Sequence, residues 1–246
     1  MDRDISRLKD ILNRSNYTVA VCGSGMAAES GFLGFKMAER AYEIEKAYGA
    51  SPEEIFTGGY YNTRTVQFFN FYKKEMLEKV PEPGAGSHVL AAMEKAGRLQ
   101  CIITANVFEQ EQRAGCENVI NLHGSVFSNR CPHCGENYGM EEIRDGKGVP
   151  HCRKCNSVVR PLVSLYGEMI DSRVMTRTTE EIGRADVLLL LGTTMQSEVF
   201  SNYIRYFNGK DLVVIHKESH FSDKGADLVI LDEPGRVLAQ LGYTNG

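Results

Sequence analysis

No run of this chain approaches the ~20 consecutive apolar residues that a membrane-spanning helix needs. It also has no internal repeat and no low-complexity linker. A membrane partner, a repeat architecture and a disordered tether are therefore not expected. Excess positive charge is lacking as well: 28 Lys and Arg stand against 32 Asp and Glu, a formal net charge of −4. Without a broad basic field, no direct nucleic-acid partner is expected. The opening Met1-Asp2-Arg3-Asp4 carries charge where a signal peptide has its apolar core, which favours a cytoplasmic location. What remains is an ordinary globular composition, 42% hydrophobic and 24% charged. Its 246 residues suffice for one large domain with a small insert.

The strongest positive signal is cysteine spacing. Cys131-Pro132-His133-Cys134 and Cys152-Arg153-Lys154-Cys155 are two Cys-x-x-Cys pairs with 17 residues between them. Each pair turns both thiolates inward, and two pairs supply four soft ligands to a tetrahedral Zn²⁺. Four thiolates leave no open position, so the metal would be structural. Gly135 and Asn156, each directly after a pair, suit the turns; disulfides or unrelated thiols are the alternative. Such a set of thiols fits a reducing cytoplasm. Cys22, Cys101 and Cys116 read as buried thiols rather than nucleophiles.

The pattern elsewhere alternates strands with helices. Apolar residues at helical spacing predict a helix over 4–16, and β-branched runs predict strands over 18–22, 100–104, 187–191, 212–215 and 227–231. Further helices are expected at 63–79, at 88–96 with Ser87 as cap, at 178–184 and at 234–241. Ser51-Pro52-Glu53-Glu54 is a helix start. The aromatic stretch 37–71 reads as a small helical module. Together these give an α/β fold, a doubly wound parallel sheet of Rossmann-like type with the zinc module and the helical module inserted. The turn Gly23-Ser24-Gly25 between a strand and a helix can cradle a pyrophosphate, or it can be simply a tight turn. His123, ahead of Gly124 and after the apolar Val119-Ile120 and Leu122, stands at a strand end. Imidazole there suits general base work, and from the pattern alone a structural role is its equal.

Several stretches together resemble the sirtuin family of NAD-dependent protein-lysine deacylases. They are Thr104-Ala105-Asn106-Val107-Phe108, Arg113-Ala114-Gly115, Leu122-His123-Gly124-Ser125 and the four cysteines, in the family's order and spacing. Gly23-Ser24-Gly25 with Ala28, Phe35 and Lys36 is similar to the family's cofactor loop, and Gly192-Thr193-Thr194 to its Gly-Thr-Ser. Arg160-Pro161-Leu162-Val163-Ser164-Leu165-Tyr166-Gly167-Glu168 resembles the loop that pairs with substrate peptide. The resemblance implies one catalytic domain over 1–246, with a helical insert at 37–80 and a zinc insert at 126–160. It implies NAD and structural Zn²⁺ as cofactors and an acyl-lysine protein or peptide as partner. His123 would act as base, and Asn106 would position ribose and water. Ala105, Val107, Phe108 and His123, with His216 where the family has Asn, would line the cofactor site. Val163, Leu165, Tyr166, Gly167 and Glu168 would hold the peptide through main-chain bonds.

The chain departs from the family around nicotinamide: Phe108 replaces Asp, Ala105 replaces Gln, and Gln110-Glu111 replaces Leu-His. Leu33 and Lys36 replace Pro and Arg in the cofactor loop, and lysine lacks the planar fork of arginine. A family variant that prefers acidic acyl groups has an Arg three residues after a Tyr. Here Glu45 follows Tyr42 at that spacing, so desuccinylation is not expected. Two other functions stay open on these departures. One is ADP-ribosyl transfer or NAD hydrolysis, and the other is a binding module for NAD or ADP-ribose with little catalysis.

Overall fold

Strands form where β-branched and aliphatic residues run without interruption, because only burial on both faces satisfies such runs. In this computed structural model, which describes residues 2–32, 34–35 and 37–244, they are β1 (Thr18–Cys22), β2 (Cys101–Thr104), β3 (Val119–Asn121), β7 (Val187–Leu191), β8 (Asp211–His216) and β9 (Leu228–Leu231). All six pair in parallel, in the order β3-β2-β1-β7-β8-β9. Every residue of β1, β7 and β8 is buried. The sheet belongs to a compact unit comprising Met1–Gly31, Glu82–Leu122 and Asp171–Gly246.

Successive side chains serve opposite faces. Ala20, Cys22, Leu189 and Leu191 meet Leu8, Ile11 and Leu12 of α1 (Asp2–Arg14), Leu90 and Met93 of α7 (Ala85–Lys95), and Val237 and Leu238 of α12 (Pro234–Ala239). Val19, Val21, Leu188 and Leu190 meet Ile182 of α10 (Ser172–Arg184) and Tyr203 of α11 (Ser201–Ile204). The short α2 (Ser24–Glu29) and α8 (Gln110–Arg113) follow β1 and β2 directly. The chain lays β1, β2 and β3 in one direction, then returns beside β1 with β7 and continues the opposite way. That reversal between β1 and β7 is a topological switch point, where parallel sheets open a crevice at their carboxyl ends.

The second unit, Phe32–Pro81 with His123–Ile170, holds both expected inserts. Its helices are α3 (Ala38–Tyr48), α4 (Pro52–Ile55), α5 (Gly58–Thr63), α6 (Thr65–Tyr72) and α9 (Met140–Asp145). An antiparallel sheet orders β5 (Asn137–Tyr138), β4 (Gly124–Arg130) and β6 (Arg160–Val163) side by side. Its aromatics form a core, with Phe68 and Tyr72 stacked at 5.6 Å and Tyr61 edge-on to Phe68 at 5.1 Å. Lys73 joins the two inserts, its Nζ donating to the carbonyls of Gly146 at 2.6 Å and Gly148 at 2.7 Å.

Three helices depart furthest from the sequence expectation; the chain's first and last, α1 and α12, are off by two residues at an end. The helix expected at 88–96 begins at Ala85 with Gly84 as cap, and Ser87 is buried inside it. Gly86 allows this early start, because a Cβ there would come within 2.8 Å of Met26 Cε and 3.3 Å of Gly235 Cα. The helix expected from 178 begins at Ser172, capped by Asp171, whose side chain accepts from Arg173 N–H. The helix expected over 63–79 ends at Tyr72 and passes into a π-helical turn, Lys73–Leu77. Glu75 in that turn accepts from the side chains of Arg40, Tyr48 and Lys79. No described helix is long and apolar enough to cross a membrane.

Candidate active site and metal centre

The switch point is built on close backbone contact. Gly25 N–H donates to Gly192 O at 3.0 Å, and Gly23 N–H to Leu191 O at 2.9 Å. A Cβ on Gly25 would lie 2.6 Å from Gly192 Cα, and one on Gly23 would lie 2.5 Å from Thr193 Cβ. Gly192 also has a φ of +61°, a region costly to any residue with a Cβ. The glycines are thus required by packing between two turns, before any phosphate is considered. Their turns leave Ser24 and Ala28 exposed, and Thr193 and Thr194 half-buried. At the next strand end His216 is buried and its Nε2 lies 3.1 Å from Asp223 Oδ2. That ring is committed to a carboxylate, a pairing that no spacing rule announces.

The turn after β2 is internally bonded. Thr104 Oγ1 accepts from Asn106 N–H at 3.2 Å, and Asn106 Oδ1 accepts from Phe108 N–H at 2.6 Å. Asn106 Nδ2 donates to Glu111 Oε2 at 3.0 Å. Ala105 and Val107 are half-buried, and Phe108 is only 2% exposed. Burial pushes the Glu111 carboxyl up to about 7. Thus Gly23–Gly25, Ala105–Phe108, Gly192–Thr194 and His216 occupy the carboxyl ends of β1, β2, β7 and β8. Cys22, Cys101 and Cys116 are buried, and burial pushes the last two thiols up to about 12, so they are inert as nucleophiles.

In the second unit, His123 is half-buried, and burial pushes its pKa below the ordinary 6.5. The ring is therefore neutral at pH 7, the state a general base requires. Its carbonyl accepts from Ser164 N–H at 2.9 Å, and Gly124 (φ +75°) follows because a Cβ there would meet Leu162 O. Val163 and Leu165 are buried, whereas Tyr166, Gly167 and Glu168 are exposed. Glu168 braces this segment: its Oε2 accepts from Leu165 N–H at 2.8 Å, and its Oε1 from Arg160 at 2.7 Å. Phe35 packs 5.4 Å from Phe71 in the aromatic core. Leu33 and Lys36 lie outside the described residues.

The four thiols of Cys131, Cys134, Cys152 and Cys155 converge, with all Sγ atoms within 4.8 Å of one another. Cys131 and Cys155 are 3.4 Å apart, and Cys134 and Cys152 3.5 Å. Tetrahedral Zn–S bonds of ~2.3 Å imply S···S separations of ~3.8 Å, so the residues fit that metal. Gly135 (φ +76°) and Asn156 (φ +60°) take the left-handed turns expected of them. Each donates its N–H back to the first Cys of its pair, at 3.0 and 2.9 Å. Tyr138 Oη donates to Cys152 Sγ at 3.2 Å, an outer contact of the kind that orients ligands.

Residues 23–199 match the model of the Sir2 family. The chain is 37% identical to the NAD-dependent protein deacetylase of Clostridium perfringens (strain 13 / Type A), over 98% of this chain and 99% of that one. It is 36% identical to the protein of the same name from Cutibacterium acnes, over 93% of each. Among solved structures, a mutant Sir2 homologue in complex with ADP ribose superposes with a TM-score of 0.83 at 29% identity, covering 96% of this chain and 94% of that one. A mutant in complex with 2′-O-acetyl ADP ribose gives 0.83 at 28% identity over the same shares.

Proposed function

This chain belongs to the Sir2 family, and on that premise we propose that it is an NAD-dependent protein-lysine deacetylase acting as one catalytic domain over 1–246, with inserts at 37–80 and 126–160. The observation that carries the reading is the pair of glycine turns at the switch point, Gly23–Gly25 against Gly192–Thr194, beside the bonded Asn106 loop. Those turns present the hydroxyls of Ser24, Thr193 and Thr194 where open parallel sheets bind nucleotides. When bound, NAD⁺ supplies ADP-ribose as acyl acceptor and nicotinamide as leaving group.

The chain's own residues do the rest. Ser24 holds phosphate oxygens beside Gly25, whose own N–H is taken by Gly192 O; Thr193 and Thr194 hold the adenosine side at the strand end that His216 closes through Asp223. Asn106 orients ribose and water through the N–H and lone pair that its internal bonds leave over. His123, neutral at pH 7, takes a proton from a ribose hydroxyl. An acetyl-lysine peptide lies along 163–168, the segment that Glu168 braces. The zinc centre holds the insert in shape and takes no part in the chemistry. A reducing, cytoplasmic setting suits the seven free thiols.

The test is mass spectrometry of nicotinamide and O-acetyl-ADP-ribose with and without acetyl-lysine peptide. Peptide-dependent release is expected, with His123→Ala lowering it by about 10²–10⁴-fold. Equal release without peptide would favour ADP-ribosyl transfer or NAD hydrolysis. Binding of NAD⁺ with no release under any peptide would leave only a binding module.

A further inference from the structure

One carboxyl group has no part in the chemistry above. Glu111 on α8 is 0% exposed. Its Oε2 accepts from Asn106 Nδ2 at 3.0 Å, and its Oε1 is buried with no hydrogen-bond partner among the described residues. The Asn106 amide cannot be turned over: Oδ1 already accepts from Phe108 N–H at 2.6 Å, so Nδ2 is the end that must find an acceptor. Glu109, between Phe108 and Gln110, has a φ of +50°, which a non-glycine residue keeps only when its surroundings hold it there. The Asn106 bonds to Phe108 and Glu111 flank that residue on both sides.

We propose that Glu111 is a positioning residue for the cofactor site: its carboxylate fixes the rotamer of Asn106, and protonation loosens that hold and weakens NAD⁺ binding. The inference rests on Asn106 being a cofactor contact, as read above. A hydrogen bond to an ionised acceptor is roughly twice as strong as one to a neutral acceptor, so the charge on Glu111 is transmitted through the amide. Burial raises its pKa to about 7, which places the change in the working range. The titratable groups facing Glu111 are Cys22 of β1 and Cys116 after α8, both raised by burial and neutral there. On α7, which packs against α8, His88 is exposed and Glu94 accepts from the N–H groups of Glu117 and Asn118 at 2.7 and 2.8 Å. Arg113, on α8 itself, pairs with Glu82 at 2.9 Å.

The experiment is calorimetric titration of NAD⁺ into wild type and Glu111→Gln from pH 6 to 8.5, with steady-state kinetics alongside. Glutamine keeps the size and an acceptor but carries no charge at any pH. Wild-type affinity should rise about tenfold through neutrality with the loss of one proton, from the difference between charged and neutral hydrogen bonds. The variant should hold the low-pH affinity throughout, with KM for NAD⁺ raised at pH 8 and KM for peptide unchanged. His123, whose pKa burial lowers, is the same in both proteins, so the difference between their profiles isolates Glu111. Glu111→Ala should lower kcat by about 10²-fold if folded, because Asn106 is then free to turn. If wild type binds NAD⁺ and Glu111→Gln shows the same affinity and pH profile, this inference is overturned alone. If wild type binds no NAD⁺ at any pH, the proposed function fails and takes the inference with it.

Discussion

Replacing Glu111 by Gln should also change how folding stability depends on pH, independently of any ligand. The side chain is fully buried, and its pKa rises from 4.5 to about 7 on folding, chiefly because burial disfavours the charge. Between those values the native state keeps a proton that the unfolded chain has released. Stability from this group is therefore highest at acid pH, falls as pH rises through that window, and levels off above about pH 7. At about 1.4 kcal/mol per unit the full change is about 3 kcal/mol, and roughly 2–3 kcal/mol of it develops between pH 5 and 8. For a chain of this size that corresponds to a shift of about 5–10 °C in Tm. Glutamine has no such titration, so the Tm gap between variant and wild type should move by that amount in favour of the variant as pH rises. Circular dichroism melts of zinc-loaded proteins at pH 5, 6, 7 and 8 measure it, and the comparison cancels every other titrating group. Parallel Tm-against-pH curves for the two proteins would refute the titration of Glu111 near neutrality.

Four further outcomes are expected. Elemental analysis should find about one zinc per chain, and Cys134→Ser should lower that content and speed hydrogen exchange over 131–155, because metal binding is local folding energy. Gly25→Ala, with its Cβ 2.6 Å from Gly192 Cα, should cost about 1–3 kcal/mol as overpacking against backbone and weaken NAD⁺ binding. Gly59→Ala, whose Cβ meets nothing within 4 Å, should be neutral or stabilising in a melt. Phe108→Asp restores the family's acceptor, so inhibition by nicotinamide should strengthen in a product-inhibition assay; unchanged inhibition would remove Phe108 from the nicotinamide pocket.

Much of this protein is legible in one dimension. The runs 18–22 and 187–191 are strands at the residues expected, because β-branched and apolar residues in succession have nowhere to go but between two covered faces. The four cysteines with Gly135 and Asn156 are equally local: the turn that gathers two thiolates is set by spacing and by one left-handed residue after each pair. The family resemblance needs only order and spacing along the chain. Helix starts were less legible, since Ala85 and Ser172 begin helices where distant packing and a cap allow it. Nothing local announces that Gly25 must be glycine because Gly192 lies against it, 167 residues on. Nor does sequence show that His216 is committed to Asp223, or that Glu111 is sealed from water with one oxygen on Asn106 and the other unpaired among the described residues. A residue's type and spacing are covalent facts, but its burial, its partner and therefore its charge at neutral pH are set by chain segments that meet only on folding.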